Sequence, residues 1–120
     1  MDAATYPDPR TIRFVNDFMI AVKVNVQSDR DLALKFEIRY TPTVLTLDGD
    51  GKEHHRSVGL RPPEEFVPAL MLGIGKAYFS KGRFDKCLSV LDKLLAEYPR
   101  SGSAAAASDL KEACLKRSAL

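Results

Sequence analysis

At 120 residues the chain has room for one domain, or for one small domain with an appendage. Its 45% hydrophobic and 28% charged residues are ordinary for a globular protein, and a net charge of +2 is too small to argue for nucleic acid or a membrane surface as partner. No apolar run approaches the ~20 residues of a membrane-spanning helix, and no signal peptide follows Met1.

Residues 1–8 read as irregular. Asp8 can cap a helix whose first turn accepts Pro9, and Ile12, Phe14, Val15, Phe18 and Met19 then fall mainly on one face. The run Ile20–Val26 is β-branched and alternates with Lys23 and Asn25, which predicts a strand. Ser28 or Asp29 can cap a short helix through Phe36. A second strand is expected over Thr43–Leu47, the turn Asp48-Gly49-Asp50-Gly51 follows, and a third strand over Lys52–Val58 completes a hairpin that Gly59 ends. Pro62-Pro63-Glu64-Glu65 opens a helix, with carboxylates placed favourably at its N-terminus. Its apolar stripe runs from Phe66 to Tyr78, and Pro68 inside it predicts a kink or a restart. Lys81-Gly82 ends that helix. A further stripe from Phe84 to Tyr98 is stopped by Pro99, and Ser101 or Ser103 caps a last helix from Ala104 to about Ser118.

The chemistry-bearing residues are few. Two cysteines far apart in sequence, Cys87 and Cys114, suggest neither a disulfide framework nor a zinc site, and a reducing compartment is the simplest reading. Each reads as a small buried side chain, with a Cys87–Cys114 disulfide across facing helices and a lone redox-sensing thiol as the alternatives. Adjacent strand residues point to opposite faces, so His54-His55 cannot readily chelate, and a solvent-facing and a partly buried histidine are expected. Asp48 and Asp50 fit a hairpin turn better than a calcium loop, because Lys52 stands at a required acidic position. Lys111, Lys116 and Arg117 read as a solvated helix face. No Ser-His-Asp set, phosphate loop or carboxylate pair is convincing. No catalytic residue, metal site or cofactor is assigned.

Residues 6–72 resemble the thioredoxin-like family. The order is helix, strand (IAVKVNV), short helix (DRDLALKF), Ile38-Arg39-Tyr40-Thr41-Pro42-Thr43, the LDGDGKE hairpin, Gly59 and a PPEEF helix. The I-R-x-x-P-T step is the most specific part. The resemblance implies a cis bond before Pro42 and a substrate groove at Thr41, Pro42 and Thr43, beside a dithiol. The family's central strand and its C-x-x-C, where a helix start makes a reactive thiolate, do not occur in this chain. Met1-Asp2-Ala3-Ala4-Thr5-Tyr6-Pro7-Asp8-Pro9 looks like the tail of the pattern that follows that dithiol in one branch. The expectation is that Met1 is an internal methionine of a longer reading frame, or an artificial boundary. The missing strand would lie between the counterparts of Ile20–Val26 and Thr43–Leu47. Its absence predicts exposed strand edges and a weakened fold or a homo-oligomer.

Residues 72–118 resemble a tetratricopeptide repeat with a capping helix, on Ile74-Gly75, Ala77-Tyr78, Cys87, Leu91 and Pro99 within A-Y-F-x-x-G-x-F-D and E-Y-P-x-S. Gly75 and Cys87 stand where close helix approach wants small side chains, and Leu94 departs from the usual alanine. The resemblance implies a protein-binding role with no chemistry of its own, and Tyr78 and Phe79 are its candidate interaction residues.

The sequence thus predicts an α/β chain. Residues 1–72 form an incomplete thioredoxin-like fold, a mixed sheet with flanking helices, lacking its N-terminal strand and dithiol. Residues 73–120 form a helical hairpin and capping helix. The parent protein is expected to be a thiol–disulfide oxidoreductase and this chain to be redox-inactive. The alternative is a dithiol-free interaction module that uses the groove near Pro42 and the helical pair. The expected partner is a protein or peptide, with no nucleic acid and no membrane. The location is cytoplasmic as written, and periplasmic or exported if the N-terminus is truncated.

Overall fold

The computed structural model describes residues 1–119. Helix α1 (Pro9–Phe18) starts where Asp8 accepts the Arg10 backbone N–H at 2.8 Å, with Pro9 in the first turn. It turns Phe14 into the core and leaves Ile12 and Phe18 half exposed. Helix α2 (Arg30–Lys35) is a short piece capped by Asp29, which accepts the Leu32 N–H at 3.2 Å.

Strands β1 (Thr43–Leu47) and β2 (Glu53–Val58) pair antiparallel, from Thr43 opposite Val58 to Thr46 opposite His55. Leu47 then faces Glu53, so the pairing passes over His54 and leaves a bulge there. This hairpin is the whole sheet among the described residues. The expected α/β architecture holds, a sheet flanked by helices and followed by C-terminal helices, but the strand expected over Ile20–Val26 does not form and the sheet is antiparallel rather than mixed. The segment runs without regular structure, Ile20 is 94% and Val22 79% exposed, and none of Ile20–Val24 makes a backbone–backbone hydrogen bond. Its composition suits a strand, but a strand exists only as a ladder with a neighbour, and here no neighbour lies beside it.

Helix α3 (Pro63–Ser80) is the centre of the molecule. It packs against β1, β2, α1, α4 (Phe84–Glu97) and α5 (Ala104–Ser118). Every residue from Phe66 to Gly75 is buried, as befits a helix apolar on all sides. The expected restart at Pro68 is absent: the helix is continuous through that residue. A proline there forfeits one backbone bond near the helix start, and burial of the flanking turns outweighs it. A Cβ on Gly73 would come within 2.6 Å of Thr46 Oγ1, and one on Gly75 within 2.9 Å of Leu91 Cδ2. The two glycines therefore let the α3 backbone lie directly on the hairpin and on α4. The division expected at residues 72 and 73 falls inside this helix.

Gly82, at φ +73°, turns the chain between α3 and α4, where the Arg83 N–H reaches the Tyr78 carbonyl at 2.9 Å. Ser103 precedes α5, as expected, without a side-chain capping bond. Met71, Cys87, Leu91, Leu94, Ala107 and Cys114 are fully buried and form the heart of the core. Leu91 fills the space that Gly75 leaves open. Leu91→Ala is expected to lower stability by about 2–5 kcal/mol, read as a lower urea midpoint at unchanged slope.

Candidate functional site

The segment before β1 carries the residues singled out for a groove. Arg56 on β2 positions it. The Arg56 guanidinium grips the Glu53 carboxylate through two N–H groups, at 2.8 and 2.9 Å, and also donates to the Phe36 and Glu37 carbonyls at the end of α2. Glu37 takes φ +53°, which swings the chain out of α2 toward Tyr40. The Thr41–Pro42 bond is cis, as the family resemblance implied. The Pro42 carbonyl accepts the Gly59 N–H at 2.8 Å, and the Thr43 hydroxyl donates to the Tyr40 carbonyl. Pro42 is thus tied to the open end of the hairpin at Gly59 and Thr43 to the preceding loop at Tyr40, while Thr41 is exposed beside them.

Thr41 faces the residues expected to form a strand. An open groove of about 560 Å³ is lined by Lys23, Val24, Asn25, Val26, Gln27 and Thr41. The structure therefore sets Thr41 and Lys23–Gln27, the second half of the expected strand and the residue after it, on one groove. Tyr78 and Phe79 lie elsewhere and are separated from each other. Tyr78 lines a second cleft beside α1 and α4. Phe79 packs edge-on against Phe84 at 5.6 Å, and the Arg117 guanidinium lies 5.8 Å from its ring centre. Phe79 is thus engaged within the chain.

A polar cluster at the hairpin turn escaped the sequence reading. Asp48 accepts the Asp50 and Lys52 backbone N–H groups at 2.8 and 3.1 Å through one oxygen. Its other oxygen meets His54 Nε2 at 2.8 Å and Lys81 Nζ at 3.7 Å. The His54 and Asp48 side chains are only 6% and 7% exposed. The expected solvent-facing histidine is therefore incorrect, because the bulge breaks the strict alternation on which that expectation rested. His55 lies against α3, where its Nδ1 accepts from Lys76 Nζ at 3.0 Å. Burial first, then the charges of Lys76 and Arg61, push the His55 pKa down and keep the ring neutral. Among the described residues no group of three or more His, Cys, Asp or Glu side chains is placed to hold a metal ion.

Cys87 and Cys114 meet between α4 and α5, both reduced and both fully buried. The Cys114 thiol donates to the Phe84 carbonyl at 3.3 Å. Burial, and then the neighbouring Cys114 thiol, push the Cys87 pKa up to about 12. A thiol so placed is the reverse of an activated one, since exchange needs an accessible thiolate. Lys111 is less solvated than expected, for it pairs with Asp92 across α4 and α5 at 2.7 Å.

Two outcomes follow from these groups. The hydrogen bond from His54 comes first among the causes that hold the Asp48 carboxyl below its ordinary value of 3.8. A lowered folded pKa means that the unfolded chain takes up this proton first. The stabilisation is complete above the unfolded value and is lost as the pH falls toward the folded one. Asp48→Asn is expected to lower the urea midpoint at pH 7 and to flatten its decline below about pH 4. The second outcome concerns the thiols. A thiol reagent at neutral pH should label neither cysteine of the folded chain within minutes and both after denaturation.

Comparison with known protein families places this arrangement. A family model described as a thioredoxin-like domain matches residues 5–73, more than half of the chain, including α1, the hairpin and the first half of α3. No curated protein and no solved structure matches. Residues 5–73 hold the loop at Thr41-Pro42, the hairpin and the groove described above, and the chain belongs to the thioredoxin-like domain family.

Proposed function

We propose that this chain is the scaffold and substrate-binding part of a thiol–disulfide oxidoreductase, and that it is redox-inactive by itself. The observation that carries the reading is the stretch Ile20–Val24, free of backbone–backbone hydrogen bonds, whose last two residues, Lys23 and Val24, line an open groove with Thr41. A polypeptide strand supplies what that stretch lacks: backbone donors and acceptors for a ladder, and an apolar face for Ile20 and Val22. A strand bearing a C-x-x-C and seated there would set its sulfurs near Thr41, Pro42 and Thr43, which then line the substrate side. The two cysteines of the chain do not replace it. Thiol–disulfide exchange proceeds by thiolate attack on a disulfide sulfur, and both thiols are shut away from solvent.

A second reading has its own support. In a dithiol-free interaction module, the same free backbone takes up an extended peptide by strand addition. The α3–α4 hairpin serves as a tetratricopeptide-like protein-binding unit, with Gly75 and the buried Cys87 at the helix crossing.

Insulin reduction by dithiothreitol separates the two. The chain alone is expected to leave the rate at the dithiothreitol background. The chain extended upstream through its natural coding sequence is expected to raise the rate at least tenfold under the first reading. Background activity from that longer chain leaves the interaction module as the better account. Catalysis by the short chain overturns both.

A further inference from the structure

The cleft beside Tyr78 carries an inference that goes beyond the oxidoreductase reading, deepens the protein-binding reading of the α3–α4 hairpin, and shares no residue with the groove at Thr41. It has a volume of about 250 Å³ and lies between α1, α3 and α4. Phe14, Ile74 and Val90 form its floor. Phe18, 50% exposed, and Tyr78 form its walls.

Two lysines border it, both from α4. Lys86 Nζ lies 5.8 Å from the centre of the Tyr78 ring, and Lys93 Nζ lies 5.4 Å from that of Phe18. Both lysines are exposed, and among the described residues neither has a carboxylate within 4.0 Å. They stand seven positions apart, two turns along one helix face, so their backbones are about 10 Å apart. The ring faces hold each ammonium beside the cleft and leave its remaining hydrogens unused. An apolar cleft with an unpaired cation toward each end is complementary to an apolar side chain flanked by carboxylates.

We propose that this cleft is a docking site for an acidic segment of another protein, with a leucine or phenylalanine anchor between two carboxylates about 10 Å apart. The anchor enters between Phe18 and Tyr78, and the carboxylates meet Lys86 and Lys93. A nucleic acid fits poorly, because two lysines cannot follow a phosphate backbone and the floor offers it no polar partner.

Fluorescence polarisation with the whole chain tests this directly. The probes are a fluorescein-labelled Glu-Glu-Leu-Phe-Glu-Glu peptide, the Lys-Lys-Leu-Phe-Lys-Lys peptide and a labelled oligothymidine. The acidic peptide is expected to bind saturably with a Kd below about 1 mM, weakening as salt is added, while the other two show at least tenfold weaker binding. Lys86→Glu with Lys93→Glu should reverse the order of the two peptides, with an unchanged circular dichroism spectrum and melting temperature showing that the fold is kept. Phe18→Ala should weaken the acidic peptide at unchanged charge. The proposal is overturned by no binding of the acidic peptide, by equal binding of all three probes, or by a double variant that keeps the original preference. None of these outcomes bears on insulin reduction, so the two readings fail separately.

Discussion

The structure depends on one helix being buried on all sides. From Phe66 to Gly75, α3 has no solvent face, and its two interior glycines mark how closely its neighbours approach. Gly73 and Gly75 are about 200° apart around the helix axis, so they address nearly opposite sides. One side meets Thr46 on the hairpin and the other meets Leu91 on α4. The hairpin and the C-terminal helices therefore share a single wall. This is why the match to the thioredoxin-like family can end at residue 73, in mid-helix, without a break in the fold. The helical pair that follows is not an independent body, because its first helix is also the helix that covers the sheet.

Much of this was legible in the residues. Caps, prolines and apolar stripes located the five helices found among the described residues, and the Asp48–Gly51 turn located the hairpin. These are local signals, set within a few residues of the feature they predict. The site was legible in part: the I-R-x-x-P-T step identified the loop at Thr41-Pro42 through resemblance rather than through physics. Three things lay beyond local reading. Ile20–Val26 has the composition of a strand, but pairing is a relation between segments and composition cannot supply the second one. The bulge at His54 shifts the inward and outward positions by one, and nothing around His54-His55 announces it. The meeting of Cys87 with Cys114, and the hold of Arg56 on Phe36 and Glu37, join residues well separated in sequence and follow only from the tertiary fold.

The polar groups divide by purpose. Asp48 and Arg56 each gather several hydrogen bonds and fix loop geometry, Asp48 at the hairpin turn and Arg56 below the Thr41 loop. Such groups fix the hairpin end and the approach to Pro42 through several hydrogen bonds each. The cysteines are the opposite case. They are buried against each other, with the Cys114 thiol donating to the Phe84 carbonyl, and they contribute to packing.

The unpaired segment is where these demands conflict. Its ends are held: Met19 closes α1, Asn25 accepts the Gln27 N–H at 2.8 Å, and Asp29 caps α2. Its middle has neither a ladder nor cover for Ile20 and Val22. An edge of this kind invites association, and a second copy of the same segment is the nearest candidate. Lys23 argues against the simplest version of that. A symmetric antiparallel pairing centred on it would set two lysines directly opposite one another, which is destabilising. A strand of different sequence meets no such repulsion. It would gain the same backbone bonds and the same apolar face. The position of one charged residue therefore disfavours self-pairing in the register centred on Lys23 and leaves strands of other sequence free of that cost.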